Sequence, residues 1–512
     1  MKRKIVSIVA IGLIVSLASL FYFTKLSVTA QSVVLSGQVF KASFSSALGK
    51  DALKTGDVYV EDQQGKKVDA KYSLTSNGKS LEIDGLDEGS YTLHVKDKLG
   101  ITKTDFPFRI YKMLPTVQSK EELKAHFEMV KKFQNIPHEE IAVMEDSATE
   151  SSDAKSSSDY SSTNNQVEGV DEADIVKTNG THIFSITENN IAIVNIEDPK
   201  KMKEETKIRL GSDYYPMKLF LTDETLIVLA QKNSIQALPY EQSNEDIARM
   251  SMPMDSMTTA LFYDISNPSA PILQREVGTE GHMSGARLTD GTLYYVTNVY
   301  PNFWIMEEQK NTELRPYTYD SEKGDTVQPL PYKDLSILPN SKEATYSIIT
   351  ALDISNPKKN EVITKGYLGG SEQLYMSKNN LFLTSSIYEE GASNHKMLWN
   401  PGSMDTEVFK FTLDKTTIQF VASNRLKGHI LNQFSMDEYN GYFRAVTTKG
   451  NNWDEKEVSE NNLFILDEGM NLVGSLTGLA KDERIYSARF MGDKAYMVTF
   501  KETDPLFVID VA

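Results

Sequence analysis

Carboxylates crowd one short stretch of this sequence, at Glu168, Asp171, Glu172 and Asp174. Hard oxygen donors at that density are what Ca²⁺ favours, although the sixth-position glycine and terminal glutamate of a helix-flanked calcium loop are missing. The run therefore reads first as a solvated loop leading into a domain. No cofactor is expected; Ca²⁺ is the metal considered for these four carboxylates. Met250, Met252, Met254 and Met257 could offer thioethers to Cu(I), but no histidine lies beside them and the segment reads as an insertion loop. The histidines, at 94, 126, 138, 182, 282, 395 and 429, show no His-x-x-x-His or His-Glu-x-x-His spacing. A Gly-x-Ser-x-Gly elbow and a glycine-rich phosphate loop are also missing. Asp264-Ile-Ser-Asn-Pro268 and Asp353-Ile-Ser-Asn-Pro357 look catalytic in isolation. Their repetition points instead to a turn in which Asp accepts backbone N–H groups and Pro ends the strand. Asp437-Glu438 stands just before Asn440-Gly441, the dipeptide of a type I′ hairpin. On this reading no residue is assigned a catalytic role.

Those residues must be positioned by more than one core, because 512 residues exceed what a single one supports. The 24 Tyr and 22 Phe beside 3 Trp suit strands. A net charge of −17 makes nucleic acid and anionic lipid surfaces poor partners. No cysteine is present, which excludes disulfides, thiolate nucleophiles and thiolate-bound metals. Lys2-Arg3-Lys4 precedes the uncharged run Ile5–Phe23, and Lys25 closes it. At 1.5 Å per residue that run approaches the ~30 Å of a bilayer's hydrocarbon. Val28-Thr29-Ala30 places small residues where a signal peptidase reads. Residues 1–30 are thus expected to be a signal peptide or membrane anchor, holding the membrane through 5–23 if uncleaved. The positive-inside rule then places the rest outside the cytoplasm, anchored or secreted, as in a Gram-positive-type envelope.

Between 33 and 111, short runs such as Val39–Phe44, Asp57–Val60, Ser80–Ile83 and Tyr91–Val95 are punctuated by Gly65, Asn77-Gly78, Gly85 and Gly89. This spacing predicts a small β-sandwich. Phe44-Ser45, Val58-Tyr59-Val60, Asn77–Ile83 and Gly89–Leu93 make the stretch resemble the bacterial Ig-like domain of S-layer and other surface proteins, which implies a spacer or adhesive stalk. Ser119 with Glu122 forms a capping box, and Leu123, Phe127, Val130 and Phe133 recur on one helical face. Residues 146–165 are Ser-, Asp-, Thr- and Asn-rich, so 112–165 reads as a helix followed by a linker.

From residue 166 on, one motif recurs: an apolar strand ending in Asp, then a polar turn. It appears at Ile193–Pro199, Phe262–Pro268 and Ala351–Pro357, and more weakly around Asp414, Asp467 and Asp510. Asp467 and Asp510 are 43 residues apart, the length of a propeller blade. The wider intervals require insertions, supplied at 235–257 and 300–342. The segments Thr163–Gly180, Asn432–Glu438, Arg489–Tyr496 and Asp504–Asp510 resemble the bacterial secreted β-propeller family distantly related to WD-40 repeats. The resemblance covers about 163–512. It implies a propeller with an extracytoplasmic address and supplies no activity. Members of that family continue for further blades, so the propeller over 166–512 is expected to be incomplete at its C-terminal side, with five to six blades.

The whole reads as an all-β protein: N-terminal membrane or signal helix, small Ig-like sandwich, short helix and linker, then the propeller. The expected function is a non-enzymatic binding or scaffold module of the cell envelope, meeting an extracellular protein or cell-wall ligand. The alternative is an exported hydrolase or lyase with carboxylates at the channel mouth.

Overall fold

The computed structural model describes residues 28–512 except 31–32, 37, 45–46, 50, 76–77, 97–102, 135–164, 234–255, 302, 304–312, 339–342, 370–372, 389–403, 451–457 and 502–504. The run Ile5–Phe23 and the methionines at 250, 252 and 254 lie outside the described residues. Among those described, no helix is long and apolar enough to cross a membrane.

Among the described residues from 165 on, six sheets follow one another along the chain, antiparallel except where Leu335–Ile337 pairs in parallel with Val362–Leu368. The first blade comprises Val176–Thr178, His182–Thr187, Asn190–Asn195 and Lys203–Arg209. In the second, Tyr214–Leu221, Thr225–Lys232, Met257–Asp264 and Ile272–Glu280 are extended by Tyr317–Asp320 and Gln328–Pro329. His282–Thr289, Thr292–Val299, Tyr346–Asp353 and Val362–Leu368 form the third, with Asp171–Glu172 added on one edge and Leu335–Ile337 on the other. The fourth holds Leu374–Met376, Asn380–Tyr388, Met404–Asp414 and Thr417–Leu426, and the fifth Met436–Tyr439, Tyr442–Lys449, Glu460–Leu466 and Leu472–Leu479. Three strands, Arg484–Met491, Lys494–Phe500 and Leu506–Asp510, make the sixth. Sheets that follow one another in sequence pack face to face. Phe184 and Ile193 of the first blade meet Leu226 and Leu261 of the second. Phe262 meets Tyr295 across the next interface, and Tyr294 and Ile349 then meet Phe409 and Leu383. Phe382 stacks on Phe443 at 4.4 Å between the fourth and fifth, and Leu463 packs against Met497 of the sixth. The hairpin in the fifth blade turns through Asn440 at φ 52° and Gly441 at φ 82°, the pair of positive angles that Asn-Gly supplies.

The N-terminal strands form two layers around one core. Val28–Ala30, Phe40–Phe44, Ser80–Asp84 and Lys71–Leu74 make one sheet. Facing it are Val33–Leu35, Lys103–Tyr111, Gly89–Lys96 and Val58–Asp62. Phe40, Leu81, Val60, Leu93 and Phe108 are buried between them, with the Phe40 and Phe108 rings stacked at 3.9 Å. Sequence reading treats this unit as a stalk on a linker, but its second sheet does not stop at its own edge. Val33 pairs in parallel with Arg109 on one side and antiparallel with Ser423 of the fourth blade on the other. One eight-stranded sheet therefore runs from propeller into sandwich. Lys41 lies 3.7 Å from Asp467 across the same junction.

The helix Lys120–Gln134 is a second tie. The Ser119 hydroxyl accepts the Glu122 amide at 3.3 Å, and the Glu122 carboxylate reaches back to the Gln118 amide at 2.8 Å. Leu123, Phe127 and Val130 are wholly buried against Phe303, Tyr346 and Leu368 of the third-blade region. The Phe127 and Phe303 rings stack at 5.0 Å. Burial of three such side chains stabilises docking by about 1.5–3 kcal/mol each. We therefore expect that cleavage at a protease site inserted within residues 146–165 leaves the two pieces co-eluting on size exclusion. Phe127→Ala should lower stability by about 3–5 kcal/mol and loosen that association. Separation of the cleaved wild-type pieces without denaturant would refute this docking.

Candidate functional site

The acidic run is not a solvated loop. Residues 165–174 pass along the edges of several blades, and apart from the exposed Glu168 their charged groups find partners there. Gln166 donates through Nε2 to the carbonyls of Gln433 and Met436 beside the fifth blade, at 3.2 and 3.1 Å. Val170 is 1% exposed and packs in the core between the third and fourth blades. Asp171 and Glu172 pair with Leu288 and Arg287 of the third blade. Asp174 exchanges backbone bonds with Leu219 of the second, at 3.1 and 2.7 Å. The charges follow the backbone. Arg287 sits 3.2 Å from the Glu172 carboxylate and donates to Gln433 Oε1 at 3.1 Å. Buried Lys177 donates to Asp171 at 2.8 Å and to the Glu172 carbonyl at 2.7 Å. Burial lowers the Arg287 pKa from its ordinary value, and the carboxylates of Glu172 and Asp171 oppose that shift.

Of the four metal candidates, then, Asp171 and Glu172 are held by separate cations. Asp174 accepts its neighbour Ile175's amide at 2.7 Å, and Glu168 is exposed. Among the described residues no three His, Asp or Glu side chains converge as metal ligands. Lys177 and Arg287, which draw the run inward, are the residues that sequence reading missed. Each stands alone in its strand, so no local signal marks it.

The repeated Asp turns have the predicted construction. Asp264 Oδ1 accepts the Ser266 amide at 2.9 Å, Asp353 Oδ1 accepts that of Ser355 at 2.8 Å, and Asp198 that of Lys200 at 3.0 Å. Hydrogen bonds from Ser266 and Ser355 hold the Asp264 and Asp353 carboxyls below their ordinary range. The histidines are dispersed. His182 meets Glu205 at 2.9 Å, His94 meets Asp105 at 2.7 Å, and burial lowers the pKa of both His126 and His429.

A cleft of about 690 Å³ opens where sandwich, fourth blade and fifth blade meet. Gln38, Asn379, Asn440 and Glu468 line it with polar groups, and Val167 and Val421 supply an apolar patch. Along one wall Glu438 accepts from Ser377 Oγ and, at 2.9 Å, from Asn380 Nδ2. Lys410 stands 3.6 Å from Glu438 and donates to the Glu468 carbonyl at 3.1 Å. The Lys410 and Glu438 side chains are only 5% and 10% exposed. Glu438 reads from sequence only as a residue before a turn; its partners come from another blade, some sixty residues away in the chain.

Two further buried pairs clamp the rim. Arg275 grips Asp320 through two bonds, at 2.9 and 2.7 Å, and donates to the carbonyls of Pro357 and Asn360. Asp405 lies 2.9 Å from Lys449 and 2.8 Å from Arg425. Burial alone would raise both carboxyls, yet Arg275, and Lys449 with Arg425, hold them below their ordinary value. A depressed carboxyl contributes stability above its unfolded pKa, and that contribution is lost as pH falls through the folded one. Asp405→Asn should therefore cost about 3–5 kcal/mol at pH 7. It should also make the loss of stability below about pH 4 shallower than in wild type. Denaturant unfolding across that range checks it, and an unchanged acid slope would show that Asp405 is not depressed.

The β-propeller domain family model matches residues 160–512. An uncharacterized protein of Methanocaldococcus jannaschii is 32% identical over 407 residues, which are 69% of this chain and 60% of the relative. One from Archaeoglobus fulgidus is 27% identical over 416 residues, 69% of this chain and 62% of the relative. This chain thus spans about three-fifths of the length of both. A solved Synechocystis apocarotenoid oxygenase variant covers 95% of this chain and 91% of its own at 9% identity and a TM-score of 0.28. A eukaryotic initiation factor structure covers 58% and 62%, at 10% identity and a TM-score of 0.25. Scores this low carry no argument about function.

Proposed function

The chain belongs to the β-propeller domain family, and on that footing we propose that it is an extracytoplasmic cell-envelope protein. In this reading it is a binding or scaffold module that displays the propeller on an Ig-like sandwich. The observation that carries the reading is the shared sheet. Val33 bonds to Arg109 and Ser423 at once, so the sandwich is a fixed mount rather than a tethered neighbour. A mount built into a blade presents a ligand surface at constant orientation, which is what display requires. The cleft beside that junction is the surface proposed to meet the ligand. Its amides and carboxylates, set beside a small apolar patch, suit a polar, hydroxyl-rich polymer such as a cell-wall glycan. The basic Lys2-Arg3-Lys4 ahead of the apolar Ile5–Phe23 run supports the envelope address.

Fractionation of cells expressing the chain from Met1 tests the address. The protein should appear with the membrane or the medium, and intact soluble cytoplasmic chain retaining Met1 would refute it. For the surface, the chain should sediment with purified cell-wall polymer, and Asn379→Ala combined with Glu468→Gln should weaken that binding at least several-fold. Equal sedimentation of variant and wild type would remove the cleft from the reading.

A further inference from the structure

One face of the fourth blade brings an amine, a carboxamide and a carboxylate together at a largely buried point. Lys410 and Asn380 stand on the neighbouring strands Met404–Asp414 and Asn380–Tyr388, where Lys410 is opposite Phe382 and Asn380 opposite Thr412. That register makes Asn380 and Lys410 diagonal neighbours on one face, a gap that a long lysine stem spans. Glu438 joins them from the fifth blade. Its Oε1 accepts Asn380 Nδ2 at 2.9 Å and lies 3.6 Å from Lys410 Nζ. Its Oε2 accepts the same Nδ2 at 2.9 Å and the Ser377 hydroxyl. Lys410 Nζ donates to the Glu468 carbonyl at 3.1 Å and lies 5.7 Å from the centre of the Phe382 ring.

This pairing differs from those of Lys177 and Lys449. Asp171 takes Lys177 at 2.8 Å and Asp405 takes Lys449 at 2.9 Å, direct bonds that neutralise each ammonium. At 3.6 Å Glu438 stands too far from Lys410 for such a bond. It spends its hydrogen bonds on the carboxamide and the serine instead, and one of its oxygens faces both nitrogens. A carboxylate so placed can carry protons between a nucleophile and its leaving group.

We propose that Lys410 and Asn380 form an isopeptide bond, a covalent cross-link between two strands of the fourth blade. Glu438 takes a proton from the Lys410 ammonium, and the freed Nζ lone pair attacks Asn380 Cγ. The Nζ–Cγ bond forms and the Cγ–Nδ2 bond breaks. Nζ gives up two protons in all: Glu438 passes one to Nδ2, making ammonia, and the second leaves with it as ammonium. Nothing is oxidised or reduced, and no co-reactant is consumed. Asn380 and Lys410 both line the cleft, which gives the ammonia a way out. Burial of Lys410 and Glu438 keeps water from competing for Cγ. A chain without cysteine gains in this way a covalent brace that needs no oxidant.

Mass spectrometry of the purified, denatured full chain gives the test. The chain should weigh one ammonia less than the residues it contains. A tryptic digest should hold Asn380 and Lys410 in one joined peptide, uncut after Lys410. Lys410→Arg keeps the charge without the amine nucleophile, and Asn380→Ala removes the carbon it attacks, so each should restore the full mass. Glu438→Gln should slow cross-linking in freshly made chain at least ten-fold. Should a variant fail to fold, the wild type decides by itself, because its mass is either full or short. Full mass in the folded wild type would overturn the proposal. A deficit that persists in Lys410→Arg would do the same, and so would one mapped to ring closure at Asn440-Gly441 with no joined peptide.

Discussion

The Arg287–Glu172 pair is the interaction on which the inner side of the propeller depends. Radial blades widen outward and converge inward, so their inner strands bring backbone edges and short side chains close together. Here the chain threads its own lead-in along those edges, and the lead-in is acidic. Buried carboxylates are costly unless they are paired, and the third blade provides the pairing through Arg287 while the first provides Lys177. Once the pair is made, Gln433 is drawn in through Arg287, and Gln166 fastens to the same turn. A stretch that lies outside every blade in sequence thereby links the second, third, fourth and fifth.

Charge recurs at the rim in the same role. Arg275 bridges Asp320 of the second blade and the turn at Pro357–Asn360 of the third, while Asp405 of the fourth gathers Lys449 of the fifth. Apolar inter-blade packing is non-directional, and similar aliphatic faces could slide. Bidentate guanidinium bonds to carboxylates are directional. The division of labour is therefore that apolar faces supply most of the stabilisation and a few buried ion pairs set the register between blades.

Local features were readable because their causes are local. Asp-Ile-Ser-Asn-Pro encodes an Asp-capped turn in adjacent residues, Asn440-Gly441 a hairpin, and Ser119 with Glu122 a helix start; each has that form in the structure. What stayed hidden depends on partners distant in the chain. The acidic lead-in read as solvated because Arg287 lies more than a hundred residues on, in an ordinary strand. Glu438 read as a turn residue because Ser377, Asn380 and Lys410 come from the fourth blade. The stalk reading came from the resemblance to Ig-like surface domains, and a three-residue strand, Val33–Leu35, has no periodicity from which its second neighbour could be inferred.

That short strand also changes how force and motion pass through the molecule. A flexible linker alone would let the sandwich reorient freely against the blades. Main-chain pairing across Val33 and Ser423 joins the two hydrogen-bond ladders, and the Lys120–Gln134 helix braces the third blade from another direction. Movement of the sandwich must then strain the fourth blade, whose Lys410 lines the cleft beside Gln38 of the sandwich. Cleft lining and sandwich mount are therefore parts of one continuous, hydrogen-bonded unit.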